Sequence, residues 1–155
     1  MALGSILASQ GLPSGDFAII TALHCLSVMT FMFSWNALND FMDIEIDRIN
    51  RPDRPLPSGE ISEVAASRGI LFTAVLSFSF LIVAAYVSHS GEIGLDGWLP
   101  SLAIWMLALL LLFNYESPSK LSFRMKDKGL PGNLAISMSV GLVIVFGAAS
   151  VSDPL

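Results

Sequence analysis

An all-α, polytopic membrane bundle is the fold the sequence predicts, and three observations predict it. Hydrophobic residues make up 54% of the 155-residue chain and charged ones only 14%, against about 25% charged in a soluble domain; the mean hydropathy is +0.69. The apolar residues gather into four runs long enough for a bilayer, which needs about 20 residues per helix. All eight Lys and Arg fall in alternate connections between those runs. The charges are segregated, so the net charge of −5 says little. Without a basic face outside two short loops, the sequence argues against a nucleic-acid partner. The single cysteine, Cys25, lies inside an apolar run, which leaves no disulfide framework and no thiolate metal site.

Residues 1–9 are apolar but too short to span, and read as a stub closed by the turn-like segment Gly11 to Gly15. Residues 17–38 form the first span, without a charged residue, running on as one helix into an acidic segment. His24 and Cys25 lie within it and read as packing residues. Ser62 and Glu63 mark a helix start at the surface, and residues 69–87 are the apolar part of the second span. A polar link, residues 88–97, carries no Lys or Arg and holds His89, a surface residue. The third span is residues 98–114, with Pro100 tolerable in its first turn. Trp98 and Tyr115 flank it as an aromatic belt would. Residues 130–151 are the fourth, with Gly141, Gly147 and Ala148 permitting close helix contact. The connections 39–68 and 115–129 hold every basic residue, which makes both cytoplasmic by the positive-inside rule.

The stretch from Asn36 to Gly59 carries the chemistry. On a helix at about 100° per residue, Asn36, Asn39, Asp40, Asp43 and Asp47 share one narrow sector, while Glu45 falls opposite. Like charges three and four residues apart repel. The arrangement becomes reasonable when a cation lies among them. The donors are all hard oxygens, which favours Mg²⁺ or Ca²⁺ over zinc. An acidic, water-exposed helix end is the plainer reading; ionisable residues beside a span are functional by default. Pro52 ends the helix near Arg51. Arg51 and Arg54 then sit in a loop stiffened by Pro52, Pro55 and Pro57, suited to bidentate phosphate contacts. Topology signalling alone is the competing explanation for these arginines, and equally for Lys126 and Lys128.

Because both basic loops face one compartment, they predict a shared site, with Tyr115, Lys120 and Arg124 joining the carboxylates. Mg²⁺ takes one or two protein carboxylates and completes its shell with water and phosphate oxygens. A diphosphate with an apolar tail, an allylic prenyl diphosphate, fits such a site at a membrane edge. Neither G-x-x-x-x-G-K-[ST] nor G-x-G-x-x-G is present for a nucleotide.

Asn39-Asp40-x-x-Asp43-x-x-x-Asp47, followed by Asn50-Arg51-Pro52-Asp53-Arg54-Pro55-Leu56-Pro57-Ser58-Gly59, resembles the first signature of the UbiA-type intramembrane prenyltransferases. Tyr115-x-x-Pro118-x-Lys120, then Gly129 to Asn133, is similar to that family's second, more variable loop. The resemblance implies that Asn39, Asp40, Asp43 and Asp47 hold Mg²⁺ on the prenyl diphosphate. It implies that Arg51, Arg54, Tyr115 and Lys120 contact phosphate or assist its departure, with Asn36, Arg124 and Asn133 as substrate contacts. The reaction so implied ionises the allylic diphosphate and lets an acceptor attack the prenyl cation. Within the family, the first signature and the Gly132-Asn133 to Phe146-Gly147-Ala148 pattern are most like the archaeal digeranylgeranylglyceryl phosphate synthases. Those attach a geranylgeranyl group to geranylgeranylglyceryl phosphate. Chlorophyll synthases share much of the wording and are the runner-up; aromatic-acid (4-hydroxybenzoate-type) prenyltransferases come next.

The resemblance covers nearly the whole chain but only about half of the family fold; a later aspartate-rich motif is absent. The expectation is a partial domain of four complete spans plus a stub, whose partner is the remainder of the same polypeptide and which does not catalyse alone. A non-catalytic membrane protein, such as a transporter half, is the alternative of another class. Broken helices or mid-membrane charges would mark it, and the charges here lie at one edge.

Overall fold

Among the described residues, four helices are long and apolar enough to cross a membrane, and they order the rest of the chain. The computed structural model describes residues 1–91, 94–116, 123 and 125–151. Among these the regular elements are all helical: α1 (Ala2–Ala8), α2 (Gly15–Met42), α3 (Ile44–Asn50), α4 (Glu63–Ser90), α5 (Gly94–Glu116), a 3₁₀ turn (Met125–Lys128) and α6 (Leu130–Ala149). At 1.5 Å per residue, the 28 residues of α2 extend about 42 Å. That exceeds a hydrocarbon core of about 30 Å. The surplus at its C-terminal end carries Asn39 and Asp40.

Burial runs opposite to that of a water-soluble protein. The fully buried side chains include Ser5, Ser27, Ser77, Ser88 and Ser101, while Leu71, Phe72, Tyr86 and Leu130 are largely exposed. In lipid an exposed leucine costs nothing, and small residues let helix backbones approach closely.

The chain divides into two units, and α2 and α4 each contribute to both. Within Leu26–Phe80, α2 and α4 are joined by buried serines. The Ser27 hydroxyl donates to the Ser77 carbonyl at 2.9 Å and the Ser77 hydroxyl to the Ser27 carbonyl at 2.8 Å. Seven residues on, the Ser34 hydroxyl donates to the carbonyl of Ile70, seven residues back from Ser77, at 3.0 Å. Forward on one helix is backward on the other, so the pair is antiparallel in fixed register. In the unit comprising Met1–Cys25 and Leu81–Leu155, α6 packs against both α1 and α5. Ser5 donates to the Gly147 carbonyl at 2.8 Å, and the Ser5 and Ser150 hydroxyls lie 3.0 Å apart. A Cβ built on Gly4 would strike the Ile144 carbonyl, and one on Gly147 the Met1 carbonyl. His24 packs edge-on against Phe146 with ring centroids 4.5 Å apart.

Two expectations are corrected. The first span does not continue as one helix to Arg51: α2 ends at Met42, and α3 begins at Ile44. Asp43 between them has φ −91° and ψ 5°, in the sparsely populated bridge region. The hydrogen bonds Asp43 N–H to Asn39 O, 3.0 Å, and Asp47 N–H to Asp43 O, 2.8 Å, survive on either side. Stacked like charges weaken a regular helix, and the backbone departs at the middle aspartate. The polar link is also shorter than residues 88–97, because α4 reaches Ser90 and α5 starts at Gly94. Pro100 therefore lies inside α5 rather than in its first turn.

Candidate functional site

The site is built where α2, α3 and the following loop meet α4, all within Leu26–Phe80. Arg51 closes α3 with φ −146° and ψ 59° and its N–H on the Asp47 carbonyl, outside the α region that the following Pro52 disfavours. The loop then folds on itself. Arg54 N–H donates to Arg51 O at 3.1 Å, Ser58 N–H to Arg54 O at 2.9 Å, and Ile61 N–H to Pro55 O at 2.9 Å. Gly59 supplies the left-handed residue, φ 81°, that the turn needs. Ser62 receives the Ala65 N–H on its hydroxyl at 3.2 Å and starts α4 as an N-cap.

This loop brings Arg54 back over the acidic stripe. Arg54 Nη1 donates to Asp47 Oδ2 at 2.7 Å and to Asp40 Oδ1 at 3.1 Å. Two carboxylates from successive helices thus converge on one cationic nitrogen. Their environments differ: the Asp47 side chain is 10% exposed, that of Asp40 52% and that of Arg54 39%. On the other side of α3, Arg48 pairs with Glu45 and, at 3.1 Å, with Glu63 at the start of α4.

Beside the triad opens a cleft of about 670 Å³. One wall is the α2 face Phe33, Ala37 and Asp40, spaced four and three residues apart, so an apolar stripe leads into the carboxylate. The facing wall on α4 is Ala66, Gly69, Ile70 and Thr73. A Cβ on Gly69 would meet nothing within 4 Å, so the cleft stays open there. The cleft is greasy along its length and charged at one end, where Asp40, Asp47 and Arg54 line it.

The structure therefore brings together three of the expected residues, Asp40, Asp47 and Arg54. Asn39 and Asp43 are half-buried in the same stripe, while Asn36 and Arg51 are exposed. Arg54, expected as a phosphate contact, is paired here with the two aspartates. Tyr115 and Asn133 belong to the other unit, where the Tyr115 ring lies against Gly132. Lys120 and Arg124 lie outside the described residues. Among the described residues, no three or more His, Cys, Asp or Glu gather into a metal-ready cluster. A pair that sequence reasoning missed is Lys126 with the buried Glu116, 2.9 Å apart. The cleft wall was missed too, although the 33–37–40 spacing was there to be read.

The family profile described as the UbiA prenyltransferase family matches residues 1–155, the whole chain. The chain belongs to the UbiA prenyltransferase family. It is therefore an integral membrane protein, as its four apolar helices require. Among curated relatives it is similar to the digeranylgeranylglyceryl phosphate synthase of Haloquadratum walsbyi, 37% identical over 97% of this chain and 47% of that one. The synthase of the same name from Methanothermobacter thermautotrophicus is 35% identical over 89% of this chain and 42% of its own. That of Thermococcus kodakarensis is 34% identical over 97% and 47%. The chain thus spans about half the length of the curated relatives it matches. No solved structure matches it.

Proposed function

We propose that this chain forms the diphosphate-binding part of an intramembrane prenyltransferase. It would pass a geranylgeranyl group from its allylic diphosphate to a lipid acceptor, geranylgeranylglyceryl phosphate, in archaeal ether-lipid synthesis. The observation that carries the reading is the cleft itself: an apolar groove between α2 and α4 with Asp40, Asp47 and Arg54 at one end. An isoprenoid tail suits the Phe33 and Ile70 walls, and a pyrophosphoryl head suits the charged mouth. The similarity to archaeal digeranylgeranylglyceryl phosphate synthases supports the choice of donor and acceptor.

The donor set fits Mg²⁺. Asp40 and Asp47 each aim an oxygen at one point, within 3.1 and 2.7 Å of the Arg54 nitrogen, and one or two protein carboxylates are what Mg²⁺ typically takes. Asp40 and Asp47 would hold the ion, with Asn39 and Asp43 in support. When bound it would neutralise charge on the departing pyrophosphate. Arg51 and Arg54 would hold phosphate oxygens through bidentate hydrogen bonds. Phe33 and Ile70 would keep water from the allylic carbon. Tyr115, Lys120, Arg124, Asn36 and Asn133 remain proposed contacts to substrate, and the loops that carry the site are proposed to face the cytoplasm.

The test is transfer from geranylgeranyl diphosphate by the full-length polypeptide in detergent micelles. Geranylgeranylglyceryl phosphate would be compared with chlorophyllide and 4-hydroxybenzoate as acceptors, with Mg²⁺ and with chelator. Transfer to the lipid phosphate, abolished by chelator, is the expected result. Transfer that persists in chelator, or only to an aromatic acceptor, overturns the metal or the acceptor respectively.

A further inference from the structure

The acidic stripe already holds a cation, and it is a side chain. Arg54 Nη1 stands 2.7 Å from Asp47 Oδ2 and 3.1 Å from Asp40 Oδ1, the two oxygens proposed above for the divalent ion. A guanidinium and a metal cannot occupy one point. Nor is the arrangement an accident of long exposed side chains: the Asp47 side chain is 10% exposed, and Arg54 is carried on a loop whose own hydrogen bonds fix it over the stripe. We propose that Arg54 is the resident counter-ion of the Asp40–Asp47 pair and is exchanged for the divalent cation on loading. The released guanidinium then becomes a ligand of the incoming diphosphate. This rests on the metal reading of the site.

The charges make the exchange cooperative. Two carboxylates against one guanidinium leave the triad at −1. A divalent ion in place of Arg54 brings the pair to neutrality and frees one positive group beside it. With no diphosphate to receive it, that group opposes the incoming metal. With diphosphate present it gains a partner of greater charge. Metal and diphosphate should therefore each raise the other's affinity, by the same factor, as linkage requires. Prenyl diphosphate arriving without metal meets two carboxylates held by a single cation and is repelled. The apo site would stay closed to anions until the ion is available.

The experiment uses the full-length polypeptide in detergent micelles, with Mn²⁺ binding followed by electron paramagnetic resonance. Without diphosphate, Arg54→Gln should bind Mn²⁺ about tenfold or more tightly than the parent protein, because a charge-assisted competitor has been removed. With inorganic pyrophosphate present that advantage should vanish or reverse. Arg54→Lys should remain near the parent. Equal or weaker Mn²⁺ binding by Arg54→Gln without pyrophosphate overturns the exchange. In that case, Mn²⁺ binding by the parent that is lost in Asp47→Asn leaves the metal reading standing. Absence of Mn²⁺ binding by the parent in both conditions overturns the metal reading, and the exchange with it. A measurement on the unmutated protein guards against misfolding of the variants. Modification of Arg54 by an arginine-selective dicarbonyl, read by peptide mass spectrometry, should speed up with Mn²⁺ and slow again with pyrophosphate. A rate unchanged by Mn²⁺ at saturating occupancy overturns the proposal.

Discussion

Removing one charge from the Asp47–Arg54 pair separates a held ion pair from a decorative one. Asp47→Asn keeps the shape and an oxygen acceptor but loses the charge. A hydrogen bond to a charged group contributes about 1.5–3 kcal/mol and a neutral one about 0.5–1.5. The substitution should therefore cost about 1–2 kcal/mol at this largely buried, 2.7 Å contact. The same change at Asp40 should cost at most about 0.5 kcal/mol, because that contact is 3.1 Å long and its carboxylate is 52% exposed. In a chain of this length, 1 kcal/mol moves the unfolding midpoint by about 2–4 °C. Asp47→Asn should drop by about 2–8 °C and Asp40→Asn by about 2 °C or less. The assay is thermal unfolding in micelles and chelator, read by a thiol-reactive dye on Cys25. A double-mutant cycle with Arg54→Gln should give a coupling above about 0.5 kcal/mol for Asp47 only. An Asp40→Asn loss equal to that of Asp47→Asn, or additivity of Asp47→Asn with Arg54→Gln, would refute the assignment of the ion pair to Asp47.

Ser27→Ala and Ser77→Ala should each lower stability by about 0.6–1.7 kcal/mol, and the double variant by less than their sum, measured by the same unfolding assay. Gly69→Leu projects into the cleft from a position where a Cβ meets nothing within 4 Å. It should leave the unfolding midpoint near the parent's while weakening transfer from geranylgeranyl diphosphate more than from a shorter allylic diphosphate. Ser5→Cys with Ser150→Cys should cross-link under mild oxidation, since the native hydroxyls lie 3.0 Å apart. Adding Gly147→Leu, which collides with the Met1 carbonyl, should abolish the cross-link in peptide mass spectra. Ser58→Cys should react with an impermeant maleimide only from the cytoplasmic side of membrane vesicles, because Arg48, Arg51, Arg54 and Arg68 flank it.

The spans were legible because lipid imposes a rule that composition alone expresses: about 20 apolar residues, charges outside. Which side of each helix faces inward was not. In water, hydrophobic residues mark the inner face. Here Leu71 and Phe72 face outward while Ser27 and Ser77 bond each other in the interior, so amphipathic periodicity carries little signal. The serines are read correctly only when paired across helices, and a linear sequence does not pair them. The break at Asp43 was illegible for a related reason. Neither glycine nor proline marks it.

The acidic stripe itself was plain from spacing, and so was the need for a cation among Asp40, Asp43 and Asp47. The identity of that cation was not, because two candidates lay within one motif. Reading the aspartates as metal ligands and the arginines as phosphate ligands treats the roles as independent. Folding the loop through the Ser58–Arg54 and Ile61–Pro55 hydrogen bonds makes them competitive, since it lays Arg54 on the same two carboxylates. If the site binds a metal and a polyanion together, as proposed, it would gain order from this competition. On the exchange proposed above, the guanidinium would keep the carboxylates from repelling one another until the ion arrives, and would then be free where the next negative charge docks.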